Sequence, residues 1–163
     1  MSLYRNKRKT LRQLKAIVER LRRQGKRIVL ANGCFDLLHV GHVRYLEGAG
    51  RLGDLLIVAV NNDAMVRRLK GPGRPLMKQQ DRVALVSAVG GVDYVTVFGE
   101  PTVERLLQVL RPHVHAKGSD YTKDTVPERE VVRSYGGRVA IVGGPKVQST
   151  RDLIKKIKAQ HRS

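Results

Sequence analysis

His39 and His42 are the two side chains of this sequence whose type and spacing are best suited to chemistry. They lie at the end of the stretch 32–42, which reads N-G-C-F-D-L-L-H-V-G-H. An aliphatic run at 27–31 precedes this stretch and a helical pattern follows it, so it predicts a strand, a tight loop and a helix start. A helix N-terminus offers unpaired backbone N–H groups and the positive end of the dipole to a phosphate. Histidines three positions apart share a helix face, and we expect both to contact one anion.

A zinc site is the main alternative for the two histidines. Zinc needs three or four protein ligands, and the neighbourhood offers only Cys34 as a further thiol or imidazole. Gly33 and Gly41 remove side chains where the backbone must turn or where a ligand must come close. The strand–loop–helix context therefore favours phosphate chemistry, with no metal ligand supplied by the protein.

The stretch 32–42 resembles the signature of the H-x-G-H nucleotidyltransferase superfamily, whose members join a nucleotide to a phosphorylated small molecule. The resemblance extends from about residue 10 to 157, and its N-G-C-F-D and K-G-x-D-Y versions are most similar to the adenylyltransferases that activate heptose 1-phosphate for lipopolysaccharide or surface-glycan synthesis. The other matching segments are the second strand with its loop at 54–63, L-K-G at 69–71, R-P at 74–75, Q-D-R at 80–82, K-G-S-D-Y at 117–121 and S-T at 149–150.

The resemblance implies transfer of AMP from ATP to a sugar 1-phosphate, with D-glycero-D-manno-heptose 1-phosphate as the acceptor and pyrophosphate released. Mg²⁺ carried by the triphosphate is the implied cofactor. Such a transfer depends on placement and on neutralisation of charge rather than on a covalent nucleophile. The implied catalytic residues are His39, His42, Lys70 and Lys117. The implied nucleotide and phosphate contacts are Gly33, Cys34, Phe35, Gly41, Arg82, Lys117, Gly118, Asp120, Ser149 and Thr150.

Several of these residues have ordinary structural alternatives. Phe35 is expected in the core more than against a base, and Arg82 could form a surface salt bridge. Ser149 and Thr150 could simply cap the last helix. Lys70 belongs to a segment rich in Gly and Pro, which we expect to be a mobile loop that closes over phosphates.

Two departures from the family pattern bear on the nucleotide. Arg151 stands where the family commonly has the second threonine of S-T-T. The segment 144–148 reads G-P-K-V-Q where cytidylyltransferases usually carry R-T-E-G-I, which favours ATP over CTP. A cytidylyl- or FAD-forming transferase for another phosphorylated acceptor stays open as an alternative. A basic nucleic-acid-binding module is a further alternative, against which the intact His39 and His42 argue.

The net charge of +18 is concentrated at the two ends of the chain. Residues 1–27 hold 11 Lys or Arg and one acidic residue, and residues 146–163 hold six and one. Aromatic residues make up 4% of the chain, too few for an evident base-stacking surface. We therefore expect solvated helix faces that attract anionic substrates, without a specific nucleic-acid or membrane partner, while a homo-oligomer stays open. A single cysteine and a basic N-terminus without an apolar segment after it favour the cytoplasm.

The remaining pattern predicts the elements that hold these residues in place. We expect one nucleotidyltransferase domain over 1–163, with a basic segment at 1–9, an amphipathic helix at about 10–24 capped by Thr10 and Gln13, and a second capping box at Thr125 and Glu128. Alternating strands and helices predict an α/β, Rossmann-like fold, an open parallel five-stranded sheet with helices on both faces. The expected strands are 27–31, 55–60, 94–98, 113–116 and 138–142, and the expected further helices are about 39–52, 78–89, 101–110, 127–135 and 149–158. Pro101 and Pro127 are expected at first helical positions.

Overall fold

A five-stranded parallel sheet forms the centre of the protein. The computed structural model describes residues 6–145 and 149–160. The strand order is β3-β2-β1-β4-β5, so the chain adds strands on one side of β1 and then crosses to the other side. The expected Rossmann-like α/β fold is confirmed. The strands are β1 (Ile28–Gly33), β2 (Leu55–Asn61), β3 (Tyr94–Phe98), β4 (Val114–Gly118) and β5 (Arg138–Val142).

Helices cover both faces of this sheet, as expected. All seven residues of β2 are buried, which explains its continuous aliphatic run: a strand covered on both faces has no polar side. One apolar cluster packs α2 and α4 on one face, and the other packs α1, α5 and α6 on the opposite face. The helices are α1 (Leu11–Arg23), α2 (Val40–Gly50), α3 (Asp63–Lys70), α4 (Gln79–Ala88), α5 (Glu104–Leu110), α6 (Arg129–Ser134) and α7 (Thr150–Gln160).

The start of α1 follows the predicted capping box. The Gln13 amide donates to the Thr10 hydroxyl at 3.2 Å, and the Thr10 amide donates to Oε1 of Gln13 at 2.9 Å. Gly25 takes a φ of +73° just after the helix, a conformation that costs glycine nothing. None of the helices in the described ranges is both long and apolar enough to cross a bilayer.

Helix α3 was not predicted from the sequence; the Asn62 side chain accepts from the Met65 amide at 2.8 Å and caps it. Two predictions about helix ends are wrong. Pro101 and Pro127 precede α5 and α6 rather than occupying their first positions. The second predicted capping box does not form, because the Thr125 hydroxyl bonds to Thr122 and Glu128 makes no capping bond with its side chain.

The described part of the basic N-terminal segment is docked on the sheet. The Lys9 amide donates to the Val95 carbonyl, and the Val95 amide donates to the Lys7 carbonyl, each at 2.9 Å. The Lys7 ammonium also donates to the Ser87 carbonyl at 2.9 Å. These bonds cover the outer edge of β3, which would otherwise present unpaired backbone groups. Residues 1–5 of the predicted basic segment lie outside the described residues.

Candidate functional site

A cleft of about 1250 Å³ opens at the carboxyl ends of the strands. It lies where β1 and β4 are neighbours and the chain connections leave in opposite directions, the place where open α/β sheets bind ligands. The structure brings nearly all of the predicted site residues together here. The cleft is lined by Gly33, Cys34, Phe35, His39, Gly41, His42, Lys70, Lys117, Gly118, Asp120, Ser149 and Thr150.

The two histidines begin helix α2 and hold each other in position. His39 is the N-cap, and its Nδ1 accepts from the Gly41 amide at 3.1 Å. Nδ1 of His42 accepts from the His39 amide at 3.3 Å, and the two rings stack with centroids 3.9 Å apart. Because each Nδ1 is an acceptor, a neutral ring carries its proton on Nε2. The backbone thus selects the tautomer in which Nε2 can donate to a phosphate oxygen.

His42 is a neutral donor at physiological pH. Its pKa is lowered to about 4, mainly by burial and also by the nearby His39 and Lys70. His42 therefore contributes a hydrogen bond rather than charge. The lysines and arginines of the cleft and the α2 dipole supply positive charge for phosphate binding.

The loop between β1 and α2 is held in an uncommon backbone conformation. Phe35 and Leu37 have φ values of +50° and +57°, a region that bulky residues seldom adopt. Phe35 is 2% exposed and its ring packs edge-on against His42, with centroids 5.3 Å apart. A Cβ on Gly33 would approach this ring to 3.1 Å, so a larger residue there would push the ring away. Phe35 therefore belongs to the core and packs against the ring of His42.

Asp36 connects this loop to the segment that carries Lys70. Its buried carboxylate accepts from the Leu76 and Met77 amides at 2.9 to 3.0 Å and from Nε of Arg74 at 2.5 Å. Burial opposes ionisation, but these amides and the guanidinium lower the pKa of Asp36 below its usual value. Residues 74–77 are therefore anchored, whereas a mobile loop was expected. Lys70 itself is the last residue of α3.

Arg82 does not make the expected phosphate contact. Its side chain has no exposed surface, and it is absent from the lining of the cleft. Its guanidinium donates to three backbone carbonyls and to Asp63, so its hydrogen-bonding capacity is used by the protein. The sequence correctly predicts that Arg82 lies near the carboxyl edge of the sheet, but it does not show that the side chain points into the protein. Arg82 is a structural residue that fixes the floor of the cleft.

The N-terminus of α7 forms a wall of the cleft. Ser149 exchanges hydrogen bonds with Asp152 and so caps this helix, as the structural alternative predicted. The Thr150 hydroxyl donates to the Asp36 carbonyl at 2.9 Å, which ties the wall to the histidine loop. Residues 146–148 of the segment that departs from the cytidylyltransferase pattern lie outside the described residues.

The site predicted from the sequence did not include several cations of the cleft. Arg44 and Arg74 line it, as do Arg151, Lys155 and Lys158 from α7. The last three are spaced by four and three positions, and this spacing puts them on one helix face. This spacing could have predicted a basic helix face at the cleft. It did not stand out, because the chain holds many other lysines and arginines.

His115 adds a buried titratable group beneath the cleft. The side chain is fully buried, and its Nε2 lies 3.1 Å from Oδ1 of Asn32. Burial and the neighbouring Lys117 lower its pKa to about 3. In the unfolded chain the ring would titrate near its ordinary pKa of about 6.5. As the pH falls below that value, the unfolded chain takes up this proton and the folded protein does not.

We expect the folded protein to lose stability on mild acidification through His115. Between pH 7 and pH 5 this residue alone should lower the free energy of unfolding by about 2 kcal/mol. Urea unfolding at the two pH values measures the change for the wild type and for His115→Gln. The variant should show a loss smaller by about that amount. His113→Gln, at a more exposed ring, is the control with a smaller expected effect. Equal losses in wild type and His115→Gln would contradict the assignment.

Comparisons with known proteins identify the family of this chain. A model of the cytidylyltransferase-like family matches residues 30–160. Bifunctional protein HldE of Geobacter sulfurreducens is 52% identical over 149 residues, which are 91% of this chain and 30% of that protein. Bifunctional protein HldE of Syntrophotalea carbinolica is 50% identical over 144 residues, which are 88% of this chain and 29% of that protein. The chain therefore spans under a third of the length of these curated relatives.

A solved structure is also similar. The crystal structure of the lipopolysaccharide core biosynthesis protein from Thermoplasma volcanium has a TM-score of 0.60 to this protein at 30% identity. The match covers 72% of this chain and 94% of that chain. Together with the histidine pair at the start of α2, these matches confirm the resemblance seen in the motifs: the chain belongs to the cytidylyltransferase-like family of nucleotidyltransferases.

Proposed function

We propose that this protein is an adenylyltransferase that joins AMP from ATP to a sugar 1-phosphate. An oxygen of the sugar phosphate attacks the α-phosphorus of ATP, the bond to the β-phosphate oxygen breaks, and pyrophosphate leaves with the electron pair. The product is an ADP-sugar, and D-glycero-D-manno-heptose 1-phosphate is the proposed acceptor. The observation that carries the proposal is the stacked histidine pair at the start of α2, whose Nδ1 atoms both accept backbone N–H groups.

The proposed work of the protein is to place the phosphates and to neutralise their charge. His39 and His42 donate from Nε2 to the α-phosphate oxygens, where negative charge builds up as the fifth ligand approaches phosphorus. Lys70 and Lys117 both line the cleft and supply fixed positive charge. The start of α2 contributes its dipole in the same direction.

Magnesium fits this site as an ion that arrives on the triphosphate. Within the described ranges no group of three or more His, Cys, Asp or Glu side chains could hold a metal ion. Mg²⁺ commonly keeps several waters and binds through substrate phosphates, where it offsets their charge. The cationic lining of the cleft suits a magnesium triphosphate. Asp120, the carboxylate of the K-G-S-D-Y segment, also lines the cleft.

The cationic residues that line the cleft favour small anionic substrates over nucleic acid, and some basic residues outside the cleft are used within the fold. Lys7 and Lys9 hold the segment that covers β3, and one Nη of Arg22 donates to the Leu110 and Arg111 carbonyls at 2.8 and 2.7 Å. We propose ATP and a phosphorylated sugar as the partners of this protein, in the cytoplasm where ATP is made. The heptose acceptor rests on the family resemblance, and the cytoplasmic location rests on the single cysteine and on the use of ATP.

A grid of nucleotides and acceptors tests the proposed function. We expect pyrophosphate release from ATP only when a phosphorylated sugar and Mg²⁺ are both present, because the phosphate oxygen of the sugar is the nucleophile and the cleft supplies hydrogen-bond donors and positive charge for the phosphates. The grid pairs ATP, CTP and FMN-plus-ATP with heptose 1-phosphate, other sugar 1-phosphates and the unphosphorylated sugars as controls. Rapid ATP hydrolysis without an acceptor, or a strong preference for CTP, would reject the adenylyltransferase assignment. Turnover with FMN would favour the FAD-forming alternative.

A further inference from the structure

Lys117 presents its ammonium group to the cleft from an almost completely buried position. The residue is 6% exposed, lies near the end of β4 and lines the cleft. Its Nζ lies 4.5 Å from the centroid of the Tyr121 ring, so the aromatic face supports the cation. An ammonium group loses much of its hydration in such a place, and the loss favours its neutral form. A lysine that must carry charge here needs a compensating partner.

Glu128 is the carboxylate that lies behind this ammonium group. The residue is 4% exposed, directly precedes α6 and also lines the cleft. Its Oε2 lies 3.7 Å from Nζ of Lys117, beyond ordinary hydrogen-bond length, and this atom forms no hydrogen bond within the described ranges. The carboxylate therefore compensates the charge of the lysine without occupying its N–H donors at short range. Those donors can still reach a phosphate oxygen in the cleft.

We propose that Glu128 is a positioning residue that holds the Lys117 side chain, and its positive charge, at the floor of the cleft. The inference rests on the adenylyltransferase proposal, in which Lys117 binds phosphate. Glu128 itself carries a negative charge and would repel a phosphate, so its place in a cleft with many cations is explained by its pairing with Lys117. A buried pair of this kind is costly to break, because the remaining charge is left without a partner.

The neighbouring tyrosines and histidine do not replace this carboxylate. Burial raises the pKa of the Tyr121 and Tyr45 hydroxyls and lowers that of His115, so all three are neutral near pH 7. Burial is also the largest influence on Lys117 and lowers its pKa, whereas the charge of Glu128 raises it. The loss of Glu128 should therefore lower the pKa of Lys117 further and release its proton at a lower pH.

The direct test is an NMR titration of the Lys117 side chain in the whole protein. With ¹³C-labelled lysine, the Cε signal of Lys117 is assigned through its disappearance in Lys117→Arg. We expect its titration midpoint to move down by about one to three pH units in Glu128→Gln. Glu130→Gln is the matched control, because Glu130 is an exposed carboxylate of α6 that pairs with Arg129 and Arg133. The control should leave the midpoint unchanged.

Turnover measured against pH separates positioning from a merely structural role. In Glu128→Gln the alkaline limb of the profile should move to lower pH by the same amount as the Lys117 midpoint, whereas simple destabilisation would lower the rate at every pH. If Glu128→Gln does not fold, Glu128→Asp keeps the charge at a longer distance and should give a smaller downward shift. An unchanged Lys117 midpoint in a folded variant would overturn the inference. A shifted midpoint in a protein that never releases pyrophosphate would reject the adenylyltransferase proposal and leave the ion-pair role standing.

Discussion

Replacing His42 by alanine is expected to lower the turnover about a hundredfold or more while leaving the fold intact. The change removes the Nε2 donor at the point where charge builds up on phosphate, and the loss of one such donor costs about 3 to 4 kcal/mol in comparable catalytic steps. His42 is only partly buried, so its removal empties little of the core. The measurement is pyrophosphate release under saturating substrates, with circular dichroism as the check on folding.

Three further variants sharpen this expectation. His42→Gln can place an amide donor near the former Nε2, so it should retain more turnover than the alanine variant. His113→Gln changes a histidine outside the cleft and should leave turnover near the wild-type level. His39→Ala should lose turnover much as His42→Ala does, because it removes the N-cap of α2 as well as a donor. Near-normal turnover in either alanine variant would show that the pair is structural.

The sheet and the histidine loop could be predicted from the sequence because their signals are local. A strand buried on both faces is a continuous aliphatic run, and β2 is such a run from its first residue to its last but one. The H-x-G-H pattern sets its own geometry, since the helix start, the N-cap and the ring spacing all follow from residues within one turn. The carboxyl edge of the sheet then brings together residues from distant segments by topology alone.

The sequence failed where a role depends on which way a long side chain points. Arg82 and Glu128 both lie beside the cleft, but one turns wholly into the protein and the other stands behind a lysine. Nothing within a turn of either residue determines this, because their partners are up to 48 positions away along the chain. Helix α3 was missed for another reason: its eight residues hold only a short apolar stripe, and the cap from Asn62 decides its start.

The largest expected loss of stability comes from replacing Arg82 by methionine. Its guanidinium donates four hydrogen bonds. Nη1 donates to the Cys34 carbonyl at 2.6 Å and to the Asn61 carbonyl at 2.8 Å. Nε donates to the Met77 carbonyl at 3.0 Å, and Nη2 donates to Asp63 at 2.7 Å. Methionine fills part of the volume but leaves three carbonyls without this donor. We expect the free energy of unfolding to fall by about 3 to 5 kcal/mol.

Urea unfolding of Arg82→Met, Arg82→Lys and Arg105→Met tests this role of Arg82. Lysine keeps the charge, but one ammonium cannot span four acceptors that a planar guanidinium reaches together, so it should recover only part of the loss. Arg105 makes an exposed ion pair with Glu100 at 3.0 Å, and its replacement should cost at most about 1 kcal/mol. Arg82 donates to the carbonyl of Cys34, which lies in the loop that precedes the histidines, and to that of Asn61. The Arg82 variants should therefore also lose turnover at temperatures where they stay folded. Equal stability of Arg82→Met and Arg105→Met would contradict the structural role of Arg82. Full turnover in a folded Arg82→Met would show that the hydrogen bonds of Arg82 are not needed for the activity of the site.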